Sequence, residues 1–442
     1  MKKPTDFVSS DLSYYWLPFT PNRLYKSAPI LLSSAEGMFY QTENGDKLLD
    51  GTAGLWCCNV GHGRRQIAEA VKNSLLRLDY ASSFSVSHPQ AFELSERLCD
   101  LAPDGFNRVF FTNSGSEAVD TALKIALAYH QARGEEQRTL FIGREKGYHG
   151  VNFGGTSVGG IDNNRKQFNN NLLDVDHLPH TLDIERNAFS RGLPEYGKEY
   201  AESLLEIINL HDASSIAGVI VEPVIGAGGV IPPPKGYLKR LREICDQHGI
   251  LLIFDEVITA FGRVGKAFAA ERFNVTPDII TIAKGLTSGT IPMGAVILKQ
   301  EIYDAFMEGP EDKIELFHGY TYSGHPSACA AALATLDIYE DEKLFQRTIE
   351  LSPIWEDALH SLKELTRVID IRNYGLLGGI DLRADTDTLG QIGYKVFRAC
   401  LDKGVLVRGA GDSILLSPPL IIEEGQIDQI ATTLKTVIKE LN

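Results

Sequence analysis

Short apolar runs alternate along this chain with longer stretches whose apolar residues recur every three or four positions. Residues 108–112, 216–221, 250–254 and 279–282 are runs of the first kind. Strands so apolar are covered on both faces, as in a parallel sheet packed between helices. Residues 116–130 are of the second kind and place Ala118, Val119, Ala122, Leu123, Ala126 and Tyr129 on one helical stripe. Residues 235–248 predict another helix. The first ~60 residues differ, with strand-like pieces broken by turns such as Glu43-Asn44-Gly45-Asp46. Beyond Gly324 a long helical stretch leads into two more apolar segments, 368–371 and 378–382. The pattern predicts an α/β protein. Residues 61–324 form a large domain around a mostly parallel sheet, and residues 1–60 and 325–442 combine into a smaller α+β domain.

Composition narrows the function classes. A net charge of −15 argues against a nucleic-acid binder, which needs concentrated Lys and Arg to neutralise phosphates. It also argues against a polybasic membrane surface. No run reaches the ~18 apolar residues of a membrane-spanning helix. Met1-Lys2-Lys3-Pro4-Thr5-Asp6 is polar at once and lacks the apolar core of a signal peptide. The six cysteines form no Cys-x-x-Cys pair, so buried thiols in a reducing, cytoplasmic setting are expected. His177-Leu178-Pro179-His180 lacks helical spacing and a third ligand, so no metal is expected.

Four features follow apolar strands or begin helices, where open α/β sheets bind ligands. In Thr112-Asn113-Ser114-Gly115-Ser116-Glu117, hydroxyls and helix-start N–H groups can hold a phosphate; a plain helix cap by Ser114 or Ser116 is the alternative. Asp255 ends an apolar strand, and its carboxylate needs a partner. A protonated pyridine nitrogen, a metal or a helix start would serve. Lys284 also follows an apolar strand, where partial burial lowers an amine's pKa and makes it nucleophilic; the alternative is a surface lysine. Tyr148-His149-Gly150 offers a ring to stack on a flat cofactor, or merely a loop tyrosine. No Gly-x-Gly-x-x-Gly follows a strand, and Ala260 stands where a Walker motif ending at Gly265-Lys266 needs its first Gly.

Taken together, these features resemble the class III (fold type I) aminotransferases, particularly the ω-amino acid:pyruvate, or β-alanine:pyruvate, subgroup. The likeness runs from Trp16-Leu17-Pro18-Phe19 to Arg408. It is most specific at Asp255-Glu256-Val257, Gly147-Tyr148-His149-Gly150 and the segment from His318 to Pro326. The resemblance implies pyridoxal phosphate, with Lys284 carrying it as a Schiff base and moving the proton. It implies that Asp255 keeps the pyridine nitrogen protonated. Ser114, Gly115 and Ser116 would hold the phosphate, joined by Thr321 from the second subunit of a homodimer. Tyr148 and Val257 would cover the two ring faces, with His149 and Glu222 beside the cofactor. Trp56, Tyr148 and the second subunit's Phe84 would line the substrate pocket.

Arg408 would grip a substrate carboxylate; without the resemblance it reads as a salt-bridged surface arginine. Such an enzyme moves an amino group from an ω-amino acid or amine to pyruvate, giving alanine. Other donor ranges (aryl amine, diamine, GABA) stay open, as do a racemase or decarboxylase outcome and a tetramer of dimers. Ile258 stands where GABA-specific relatives place Gln, which fits the pyruvate-dependent subgroup better.

Overall fold

A computed structural model describes residues 12–169 and 173–441. The polar stretch Met1 to Asp6 lies outside the described residues. Seven strands form the central sheet: β1 (Phe106–Thr112), β2 (Leu140–Arg144), β3 (Val175–Leu178), β4 (Ile216–Val221), β5 (Leu251–Asp255), β6 (Ile279–Ile282) and β7 (Gly294–Lys299). Their order is β1-β7-β6-β5-β4-β2-β3. Every neighbouring pair is parallel except those made by β7, which runs against both β1 and β6. Every residue of β4, β5 and β6 is buried. That double coverage explains why they are apolar but for Asp255 and Thr281, which hydrogen-bond to each other.

Register fixes which strand ends meet. Thr112 pairs with Gly294, Ala295 with Ile282, and Thr281 with Asp255. The carboxyl ends of β1, β5 and β6 therefore share one rim of the sheet. Helix α1 (Arg65–Arg77) precedes the sheet, and α2 (Gly115–Ala132) starts directly from that rim after β1. All six residues of the expected stripe on α2 are buried. The next helix, α3 (Tyr237–His248), is shorter than the sequence pattern. Gly236 and Gly249 flank it with left-handed backbone, where glycine alone is free of a Cβ penalty. Gly249 also delays β5 to residue 251.

Both chain ends share a second sheet. Strands Leu32–Glu36, Phe39–Thr42 and Lys47–Asp50 pair in sequence, and Val405–Leu406 then adds in parallel to Lys47–Asp50. A third sheet joins Val368–Tyr374, Leu377–Leu382, Ser413–Leu416 and Arg408–Ala410. The long helical stretch after Gly324 is two helices, Pro326–Asp341 and Leu344–His360. Lys343, at φ +51°, turns the chain between them. The cysteines correct the sequence reading in part: Cys245, Cys329 and Cys400 are buried, but Cys57, Cys58 and Cys99 are partly exposed. No described helix is long and apolar enough to cross a membrane.

Candidate active site

The rim built by β1, β5 and β6 borders a cleft of about 130 Å³. Eight of the residues expected from the sequence line it: Gly115, Ser116, Tyr148, His149, Glu222, Asp255, Val257 and Lys284. Gly150 and Ile258 complete its wall.

At the start of α2, Ser114 is the N-cap and its Oγ accepts from Glu117 N at 3.2 Å. The cap reading of Ser114 is thus realised, with its O–H still available to donate. Ser116 Oγ accepts from Val151 N at 3.1 Å, tying the helix start to the loop after Tyr148. The N–H groups of Gly115 and Ser116 take no protein acceptor among the described residues. A Cβ on Gly115 would lie 3.0 Å from Val257. At Gly150, φ is +101° and a Cβ would lie 2.6 Å from Ser116 Oγ. Close approach favours glycine at both positions, and at Gly150 the backbone conformation requires it as well.

Asp255 closes β5 and is 4% exposed. Its carboxylate faces His149 Nδ1 at 2.7 Å and accepts from Val257 N at 3.1 Å and Thr281 Oγ1 at 3.2 Å. His149 is 1% exposed, and its Nε2 has no partner. Glu222, just beyond β4, accepts from Tyr148 N at 2.9 Å and Gly226 N at 2.8 Å. Burial raises its pKa.

Lys284 follows β6 with left-handed backbone at φ +46°. A non-glycine residue there is uncommon, and such conformations gather at functional sites. Burial lowers the pKa of its amine, while the charge of Asp255 opposes that shift. The surface-lysine alternative does not hold.

Five expected residues do not line this cleft: Ser114, which caps α2, and four others. Trp56 is 3% exposed, in an apolar cluster with Ile258, Val230 and Leu415. Arg408 lies on the third sheet near enough to Tyr148 for each to shift the other's pKa. Its Nε is buried without an acceptor, and it makes no ion pair among the described residues. It is not the salt-bridged surface arginine of the alternative. Phe84 is 60% exposed and Thr321 is exposed too. They share one surface, where Tyr80 O–H donates to the Thr321 carbonyl at 2.9 Å and Ser83 to the Ser323 carbonyl at 2.6 Å.

Sequence reasoning missed Thr281 and Asp50. Asp50 is fully buried and accepts from Thr52 N, Thr52 Oγ1 and Gly54 N at 2.7–2.8 Å, and it faces His62 Nε2 at 2.8 Å. It anchors the turn that carries Trp56, in which Ala53, Gly54 and Trp56 all have positive φ. Like Asp255, it ends a strand directly after apolar residues, here Leu48 and Leu49, and that signal was available.

The sequence model of the family described as aminotransferase class-III matches residues 21–438. The chain is a class-III aminotransferase. Curated relatives agree along the whole length. This class-III aminotransferase is 55% identical over 437 residues to an omega-aminotransferase of Caulobacter vibrioides, covering 99% of this chain and 100% of the relative. It is 50% identical over 431 residues to a beta-alanine–pyruvate aminotransferase of Pseudomonas aeruginosa, covering 96% and 95%. Among solved structures, an amine transaminase from an uncultivated Pseudomonas species, in its PLP-bound form, aligns with TM-score 0.91 and 37% identity over 97% of this chain and 99% of that one. An (S)-enantioselective omega-transaminase from Thermomicrobium roseum aligns with TM-score 0.92 and 33% identity over 100% and 99%. The class-III aminotransferase is accordingly a pyridoxal-phosphate enzyme of the fold type I class.

Proposed function

We propose that the enzyme transfers the amino group of an ω-amino acid or amine, such as β-alanine, to pyruvate, and that the residues of the rim cleft carry the reaction. One observation supports this above the others: Lys284 and Asp255 line the same cleft as an open helix start. The donor set suits pyridoxal phosphate. Gly115 and Ser116 present free N–H groups to an anion at the positive end of an 18-residue helix. Ser114 and Ser116 each accept one backbone hydrogen bond and keep an O–H to donate. The absent side chains of Gly115 and Gly150 let Val257 and Ser116 pack closely around the helix start.

Bound pyridoxal phosphate supplies an electron sink for the bond broken at the carbon bearing the amine. Lys284 would hold the cofactor through its amine, and that amine would take the proton from that carbon. Its lowered pKa increases the uncharged fraction able to do so. Asp255 would face the ring nitrogen and keep it protonated, with His149 orienting the carboxylate from 2.7 Å. Tyr148 and Val257, which line the cleft, would pack against the ring. Glu222 fixes Tyr148 through its backbone N–H. Arg408, with no carboxylate of its own, binds the substrate's. Trp56 backs the substrate pocket through Ile258.

Thr321 and Phe84 act in the second subunit of a homodimer. Their shared exposed surface, away from their own cleft, supports that arrangement. Residues 61–324 serve as the cofactor-binding body, and 1–60 with 325–442 as the smaller domain; the sheet shared by Lys47–Asp50 and Val405–Leu406 is consistent with this division. A cytoplasmic location accords with the six free cysteines.

Absorbance of the reconstituted enzyme tests the assignment. β-Alanine should convert the visible cofactor band to that of the amine form, and pyruvate should restore it. A band that β-alanine leaves unchanged overturns the donor class. Lys284→Ala should remain folded and lose turnover; appreciable turnover by that variant overturns the role of Lys284.

A further inference from the structure

Cys57 and Cys58 take no part in the chemistry above, yet their side chains converge. Adjacent residues in extended chain point to opposite sides, whereas these two Sγ atoms lie 4.0 Å apart. The turn that brings them together passes through Trp56 at φ +65° and Cys57 at φ −120°, ψ −34°. Two glycines make room for the pair. A Cβ on Gly289 would lie 3.1 Å from Cys57 Sγ and 3.3 Å from Cys58 Sγ, and a Cβ on Gly54 would lie 3.2 Å from Cys58 Sγ. Both cysteines are partly exposed. The adjacent Cys58 thiol lowers the pKa of Cys57, and Cys57 in turn raises that of Cys58, so one sulfur of the pair is the readier thiolate.

Geometry separates the uses open to such a pair. A disulfide is disfavoured, because adjacent Cα atoms are held about 3.8 Å apart while disulfides usually span roughly 4.4–6.8 Å. Structural zinc takes about four ligands, and no group of three His, Cys, Asp or Glu converges among the described residues. What remains is a thiophile satisfied by two sulfurs on one side.

We infer that Cys57 and Cys58 form a chelating site for trivalent arsenic of the arsenoxide class, R–As=O. Two As–S bonds form, the two S–H protons leave with the oxygen as water, and the R–As bond persists with no change of oxidation state. The site adjoins the catalytic loop: Gly289, packed against both thiols, donates its N–H to the Lys284 carbonyl at 3.3 Å.

The holoenzyme incubated with phenylarsine oxide and freed of excess provides the test, read by native mass spectrometry and thiol titration. One adduct per chain and the loss of two titratable thiols are expected. A dithiol such as 2,3-dimercaptopropanol should release the adduct, and a monothiol in the same excess should not. Cys57→Ser and Cys58→Ser should each lose the dithiol-dependent adduct, while Cys99→Ser retains it. No adduct on the wild type, release by the monothiol, or an unchanged adduct in either serine variant overturns the inference. The wild-type release experiment stands whether or not those variants fold.

Discussion

Arg408 offers a separation of binding from stability. Burial lowers its pKa, its Nε lacks an acceptor, and no carboxylate pairs with it among the described residues. Truncating one member of a buried ion pair is normally destabilising because the other charge is stranded. Here nothing would be stranded, so Arg408→Met, which keeps an apolar stem, should leave Tm unchanged or raise it. Substrate binding should respond differently. Hydrogen bonds to charged groups are worth about 1.5–3 kcal/mol. At about 1.4 kcal/mol per factor of ten, affinity for a carboxylate-bearing donor should fall roughly tenfold to 150-fold. An aryl alkyl amine without a carboxylate should lose nothing through this contact. Single-turnover half-reactions with β-alanine and with such an amine, over a concentration series, would measure both effects, alongside thermal melts. Equal losses for the two donors, or a clear drop in Tm, would refute the carboxylate-binding role and mark Arg408 as structural.

Three further outcomes follow from the geometry. Gly150→Ala puts a methyl 2.6 Å from Ser116 Oγ at φ +101°, so the variant should release pyridoxal phosphate on gel filtration where the wild type retains it; equal retention counts against the cradle. Asp50→Ala strips the common acceptor from the turn bearing Trp56, and at about 1–3 kcal/mol per stranded buried group urea unfolding should show a loss of at least about 3 kcal/mol. A smaller loss would mean that water replaces the carboxylate. Burial raises the pKa of Glu256 from 4.5 to about 7, so the folded state holds this proton more tightly than the unfolded chain. Its stabilisation is full below pH 4.5 and is lost as pH rises through about 7. Glu256→Gln should flatten the fall in stability seen between pH 5 and pH 8, and an identical fall in both proteins would exclude Glu256 as its source.

The strands legible in the sequence were those buried on both faces. β4 and β6 occupy the predicted positions, because complete burial puts apolar residues at both ends of each. Boundaries moved where one backbone conformation decided them, as at Gly236, Gly249 and Lys343. Asp255 and Lys284 could be picked out because each follows an apolar strand, and Tyr148 because a flexible Gly150 lies near it. The pairing of His149 with Asp255 spans 106 residues and leaves no local trace. The exposure of Cys57 and Cys58 was equally hidden, since it depends on a turn set by Asp50 and on the missing side chain of Gly289, far along the chain. Periodicity reports which face a residue occupies; it does not report which distant backbone lies across from it.

The junction of the two chain ends also constrains biosynthesis. Ser417 O–H donates to the Thr52 carbonyl across 365 residues, and Val405 pairs with Leu49. At about 5–20 residues per second, the ribosome takes roughly 20–70 s to supply the later partner after the earlier one has emerged. Throughout that interval the turn carrying Trp56 lacks its C-terminal support, and β1 to β7, which end at Lys299, are synthesised before that support arrives. A nascent chain can therefore assemble the proposed phosphate cradle at the start of α2 well before the opposite wall closes, and on that proposal early capture of cofactor would precede any ability to select a substrate.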